Sequence, residues 1–158
     1  MGMDVFGKHP MNDTGKYFRA SVWGWAPIAE YLCDVAPGLM AKVTYLGSND
    51  GDGLDGADSV TLADALDEAS TSGHLDAYAA RRSAAIAALP RVTCEQCDGT
   101  GTRTDEVGQR MGFAARGWCN GCDGKGDREP WQASYRLDVD HVREFAGFVR
   151  HSGGFEIW

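Results

Sequence analysis

Apolar and polar positions follow recognisable periods along most of the 158 residues, broken in one central stretch. Residues 1–7 form a short apolar run flanked by glycine and predict a strand, followed by a turn cluster of Pro10, Asn12, Asp13 and Gly15. Tyr17 to Trp25 alternates loosely and reads as a strand or an aromatic-rich loop. Pro27 suits a first helical turn, and Ile28, Tyr31, Leu32 and Val35 follow at helical spacing until Pro37-Gly38. Cys33 falls in that helix as a small buried apolar residue. Lys42 to Leu46 predicts a short strand, and residues 47–53 an exposed loop. Thr61 and Asp64 fit a capping box for a helix bearing Leu62, Ala65, Leu66 and Ala69, broken at Ser72-Gly73. Leu75, Tyr78, Ala79, Ile86 and Leu89 mark a second helix of about four turns, stopped by Pro90. Arg81 and Arg82 on its flank read as solvated.

Globular patterning returns after Pro130-Trp131. Tyr135 to Val139 predicts a strand, and Asp138 or Asp140 a helix cap. Val142, Phe145, Ala146 and Val149 sit at i, i+3, i+4 and i+7, which is one apolar stripe. His141 and His151 flank this helix as surface groups. Ser152-Gly153-Gly154 ends it, and the alternating Phe155 to Trp158 predicts a strand, with Trp158 tied into the core. These elements predict an α+β fold: one small domain made of residues 1–92 and 129–158, carrying a Gly/Cys-rich metal-binding insertion at 93–128.

The insertion differs in composition, being rich in Gly, Cys, Asp and Thr. It contains C-x-x-C-D-G-x-G twice, at Cys94–Gly101 and at Cys119–Gly126, with 21 residues between the inner cysteines. Two residues between cysteines let one tight turn aim both sulfurs at one ion, and two such turns supply four thiolates for tetrahedral zinc, at Zn–S distances near 2.3 Å. Cys94, Cys97, Cys119 and Cys122 are therefore the predicted ligands of one structural Zn2+. Glycines at 99, 101, 124 and 126 allow the positive φ that such turns use. A stretch this poor in apolar residues relies on the metal for its fold.

The repeat resembles the C-x-x-C-x-G-x-G units of DnaJ-type chaperones, whose cysteine-rich domain pairs four copies around two zinc ions. The resemblance covers about a quarter of the chain and implies one zinc centre on the same four cysteines, with chaperone-like binding of client proteins. It implies no J-domain activity, because His9-Pro10 is followed by Met11 and not Asp. A second resemblance, carried by residues 1–7, 117–122 and 152–158, is to a group of small bacterial and phage-encoded proteins. It implies a cytoplasmic setting and supplies no mechanism.

Charge narrows the function classes. The net charge is −8, and between Tyr31 and Ala80 nine acids face a single base, Lys42, so that window reads as an acidic face. This balance disfavours phosphate-driven nucleic-acid binding. The rival reading is a nucleic-acid-binding zinc finger using Arg103, Arg110, Arg116, Lys125 and Arg128, but acids interleave with these bases. Asp50 to Asp58 invites a cation site, yet the EF-hand pattern fails at Leu54 and Thr61, leaving a solvated acidic loop as the default. No apolar run approaches the roughly 20 residues of a membrane span, and the first thirty residues lack the apolar core of a secretory signal.

A site saturated by four cysteines keeps no open position for substrate, so the expectation is a non-enzymatic protein. Thiol–disulfide redox chemistry at the C-x-x-C pairs is a third reading. The four histidines are scattered in no Ser/His/Asp order that the spacing favours, and no phosphate-loop motif or convincing dinucleotide loop occurs. Of the five tryptophans, most are expected in the core, while Trp118, with Phe113, is the candidate partner-binding pair. The partner's identity and the oligomeric state are left open.

Overall fold

The computed structural model describes residues 2–158. The chain forms two compact units, one made of the residues up to Ala84 with Tyr135–Trp158, the other of Ala85–Ser134. The second unit thus lies within the sequence of the first. It is longer than the predicted 93–128, because it takes in the end of a helix and both proline-flanked connections.

The first unit is α+β. Strands β1 (Gly2–Gly7), β2 (Tyr17–Ser21), β3 (Asp52–Asp55) and, at the far end of the chain, a last strand (Gly154–Ile157) form an antiparallel sheet. Its order is β2, β1, the last strand, β3. Helices α1 (Val22–Val35), α2 (Pro37–Met40), α3 (Gly56–Thr71) and α4 (His74–Ala87) follow in sequence, and the long helix before the last strand spans Val139–His151. Alternation decides which side of the sheet is buried: Met3, Val5, Phe18, Ala20, Leu54, Phe155 and Ile157 face the helices. The Val139–His151 helix buries its predicted stripe of Val142, Phe145, Ala146 and Val149, with Phe148. Asp138 caps it, accepting from the N–H groups of Asp140 and His141. Asp138→Ala is expected to lower the stability of this unit by about 1 kcal/mol, measured by urea denaturation.

Several local expectations are corrected. Strand β2 stops at Ser21, whose Oγ accepts from Gly24 N at 3.1 Å, so α1 starts at Val22 and holds Trp23, Trp25 and Pro27. Cys33 is exposed, because the buried face of α1 carries Ile28, Tyr31 and Leu32. Residues 42–46 are turns: Tyr45 N donates to Asp52 Oδ2 and Trp25 Nε1 to Leu46 O, so side chains satisfy backbone groups that a ladder would have used. Helix α3 begins five residues before Thr61, with Asp55 as its cap through Asp58 N, while Thr61 Oγ1 donates to Ala57 O. Residues 135–138 form no strand. Arg82 is not solvated but partly buried, bonding Glu30 and, through Nε at 2.8 Å, the Tyr135 carbonyl. His141 lies on Phe18 and donates to the Arg19 carbonyl on the β2 edge, at 3.1 Å.

Only Trp25 of the five tryptophans enters the core; Trp23, Trp131 and Trp158 are about half exposed or more. Trp158 lies on the outer side of the sheet, packed where a Gly51 side chain would be, while Phe155 and Ile157 fill the core in its stead. The acidic window is also less bare than its sequence. Arg150 bonds Asp64 and Asp67 at 2.8 and 2.7 Å, Arg143 reaches Asp76, and Lys42 holds Asp58. Two of these three bases come from the distant Val139–His151 helix.

Candidate metal centre

The second unit is built around its cysteines. Strands β4 (Val92–Thr93) and β5 (Asp127–Arg128) pair antiparallel at its base, and a short helix α5 (Glu106–Arg110) lies between the two cysteine turns in sequence. All four cysteines are buried and form their own cluster. Cys94 and Cys119 sulfurs are 3.9 Å apart, Cys97 and Cys122 sulfurs 3.7 Å, and all four fall within 4.8 Å of one another. A tetrahedron with 2.3 Å metal–sulfur bonds has edges of about 3.8 Å. The four thiols therefore fit a single metal ion.

The two repeats fold alike. Gly99 N donates to Cys94 O and Gly124 N to Cys119 O, at 3.2 and 3.0 Å. One step on, Thr100 N and Lys125 N donate to Cys97 O and Cys122 O. Asp98 and Asp123 both adopt positive φ, at 47° and 52°. The repeats also interlock. A Cβ at Gly101 would sit 2.4 Å from the Gly124 carbonyl oxygen, and one at Gly126 2.3 Å from that of Gly99. Both positions combine this contact with φ near 80°, so the second glycine of each repeat is required by backbone packing as well as by conformation.

Backbone N–H groups are aimed at sulfur. Gly126 N donates to Cys122 Sγ at 3.2 Å. In the metal-free cluster, burial pushes the Cys94 thiol up to about 11. Burial pushes Cys97 the same way, but the Gly101 N–H and the other thiols donate to it and bring it down to about 7. The Gly101 and Gly126 N–H groups thus already point at sulfurs that a bound cation would hold as thiolates.

The remaining predicted residues are placed as follows. Phe113 and Trp118 pack edge to face on each other at 5.2 Å, and Trp118 Nε1 donates to Asp123. Both are half-buried. Arg110, Arg116 and Lys125 are exposed, Arg128 reaches Glu95 at 3.8 Å, and Arg103 is held by Asp105. The acidic loop of the first unit is internally satisfied. Asp52 accepts from Tyr45 N and Gly53 N, which holds its carboxyl below the ordinary range, and Ser48 donates to Asp50. Among the described residues, only the four cysteines form a cluster suited to a metal.

Compared with family models, curated proteins and solved structures, the chain finds no match. What the site does is argued from its geometry. The alternation and spacing rules pass over two features. Gln96 and Asn120, one polar residue from inside each cysteine pair, meet around Arg103. Leu89, Pro90, Val92, Pro130 and Trp131 line a cleft of ≈ 380 Å³ in which Trp131 is 64% exposed. The proline-flanked Leu89 and Trp131 were the available signal for the cleft, but their convergence depends on the β4–β5 pairing. One acid–base cluster lies in the first unit, where Tyr31, pushed up to about 12 by burial, shares its hydroxyl with His74 Nδ1 at 3.3 Å. His74 Nε2 faces Asp34 at 3.6 Å, so both ring nitrogens are engaged in tying α1 to α4. No helix among the described residues is long and apolar enough to cross a membrane.

Proposed function

We propose that the chain is a zinc-stabilised protein-interaction or chaperone-like adaptor module with no catalytic role of its own. The observation that carries this reading is the closed set of four buried thiols at tetrahedral spacing. All-sulfur ligation favours zinc among the abundant divalent ions, and it leaves no position for a reacting water. Zinc bound there would supply folding energy to residues 92–128 and no chemistry. The likeness of the repeats to DnaJ-type units agrees with this reading, which places the chain in a reducing bacterial cytoplasm where thiols stay free.

The exposed cleft around Trp131, apolar in part and also lined by Glu95, Arg128 and Gln132, supports partner binding more directly than Phe113 and Trp118, which are largely spent on each other. The engagement of Arg103 and Arg128 by carboxylates weighs against the nucleic-acid reading. Two measurements test the proposal. Elemental analysis of untagged protein is expected to find about one zinc per chain, absent from a Cys94→Ala/Cys97→Ala variant. Titration with a reduced, permanently unfolded client protein is expected to give saturable binding that Trp131→Ser weakens. Zinc without client binding removes the chaperone-like part, and a gel shift with nucleic acid at low salt replaces it with the rival.

A further inference from the structure

We infer that Arg103 is a positioning residue that joins the two cysteine turns and slows loss of the metal, an inference that rests on the metal-site reading above. Its guanidinium lies between the repeats. Nη1 donates to Gln96 Oε1 at 3.1 Å and to Asn120 Oδ1 at 3.0 Å. Gln96 sits inside the first C-x-x-C and Asn120 inside the second. On its other side the same group donates to both oxygens of Asp105, through Nε at 2.8 Å and Nη2 at 3.0 Å. The backbone joins in, since Arg103 N donates to the carbonyl of Trp118, the residue before Cys119. The side chain is only 14% exposed. This is a residue enclosed by its own unit and not one presented to a polyanion.

The repeats differ at one position in a way that serves this contact. The residue before the second cysteine is Gln96 in the first repeat and Gly121 in the second. A Cβ at 121 would lie 2.3 Å from Gln96 Oε1 and 3.3 Å from Cys94 Sγ. Glycine at 121 is therefore the space in which the Gln96 carboxamide crosses from one turn to the other, where Arg103 holds it.

Two physical effects follow. Four thiolates around a dication leave a net charge of about −2 in a buried cluster, and the Arg103–Asp105 pair turns its guanidinium, not its carboxylate, toward Gln96 and Asn120 in the two cysteine turns. The Asp105 hydrogen bond first, and then the charges of Asp105, Cys119 and Cys94, keep Arg103 firmly protonated. The metal escapes when the two turns part, and the guanidinium cannot keep both Gln96 and Asn120 when they do. A lysine at 103 would supply the charge but not the planar fork that serves two turns and one carboxylate together.

The test uses the full-length zinc-loaded chain and times zinc transfer to the chromophoric chelator 4-(2-pyridylazo)resorcinol. Outer partners of metal ligands typically change affinity by about 10–100-fold, so Arg103→Met is expected to release zinc faster by that factor, with Arg103→Lys in between. Co2+ loaded into Arg103→Met should keep the absorption bands of a tetrahedral tetrathiolate, which separates faster release from loss of a ligand. Release from Arg103→Met at the wild-type rate overturns the inference, and release from Arg103→Lys at the wild-type rate overturns the role of the fork. Should Arg103→Met lose its zinc during purification, Asp105→Asn decides the matter, since asparagine retains the cap on Gly108 N while loosening Arg103. Faster release there supports the inference and an unchanged rate overturns it. A wild-type chain that binds no zinc overturns the underlying reading, a result distinct from all of these.

Discussion

Stripping the metal with a strong chelator is expected to unfold residues 92–128 while the sheet and the Val139–His151 helix keep their structure. The reason is the content of the second unit's interior. Its buried cluster consists of the four cysteines, and the rest of its enclosed positions are mainly glycine, including Gly101, Gly108 and Gly126. Glycine loses more conformational freedom on folding than any other residue and buries almost nothing. In the zinc-site reading proposed above, metal binding offsets that loss, since apparent binding free energies of structural zinc in small domains run to about 10–16 kcal/mol at neutral pH. Hydrogen–deuterium exchange followed by peptide mapping gives the readout. Amides such as Gly99, Thr100, Gly124 and Lys125, protected by the cysteine carbonyls in the folded turns, should exchange at unfolded rates after chelation. Protection of the Phe145–Val149 segment should remain. Continued protection of both cysteine turns in metal-free, reduced protein would show that the thiols are packed for another purpose.

Phe145→Ala should be the most damaging single substitution in the first unit. Phe145 is fully buried, and its ring lies 5.1 Å from Phe18, 5.5 Å from Trp25 and 5.9 Å from both Phe148 and Phe155. It is the one aromatic that touches β2, α1 and the last strand from the Val139–His151 helix. Truncating a buried phenylalanine costs about 3–5 kcal/mol, against a typical total of about 5–15 kcal/mol for a domain. The melting temperature should fall by roughly 15–25 °C, followed by far-ultraviolet circular dichroism. A fall below about 5 °C would mean that the neighbouring rings collapse into the space. The same truncation at Trp23, which is 48% exposed and packs at a tilt against Tyr135, should cost far less.

Elements whose burial follows a regular period were legible before any coordinates. The stripe of Val142, Phe145, Ala146 and Val149, the apolar run of β1, the alternation of the last strand and the break at Ser72-Gly73 are all local signals, whereas α4 ends at Ala87, short of Leu89 and Pro90. Errors clustered where a side chain from elsewhere decides the backbone. Residues 42–46 look like a strand by composition, but Asp52 and Trp25 take their backbone groups. Helix α3 starts at Gly56 because Asp55 caps it ahead of Thr61. The tryptophans misled for a related reason: their apolar rings suggest the interior, whereas Trp23, Trp131 and Trp158 lie along surfaces.

The candidate site divides in the same way. The four sulfurs and the glycine turns that aim them can be read from the chain alone, because two residues between cysteines and a positive φ are constraints of a single short loop. How those turns face each other is set by the fold, with Gly101 and Gly126 against opposite carbonyls and Arg103 between Gln96 and Asn120. The fold also decides which charges count, since Arg150 and Arg143 neutralise acids more than 60 residues away in the chain. Ligand spacing is a property of a few bonds and survives in the sequence. Charge pairing and interlocking depend on which distant segments meet, and that is set by the fold.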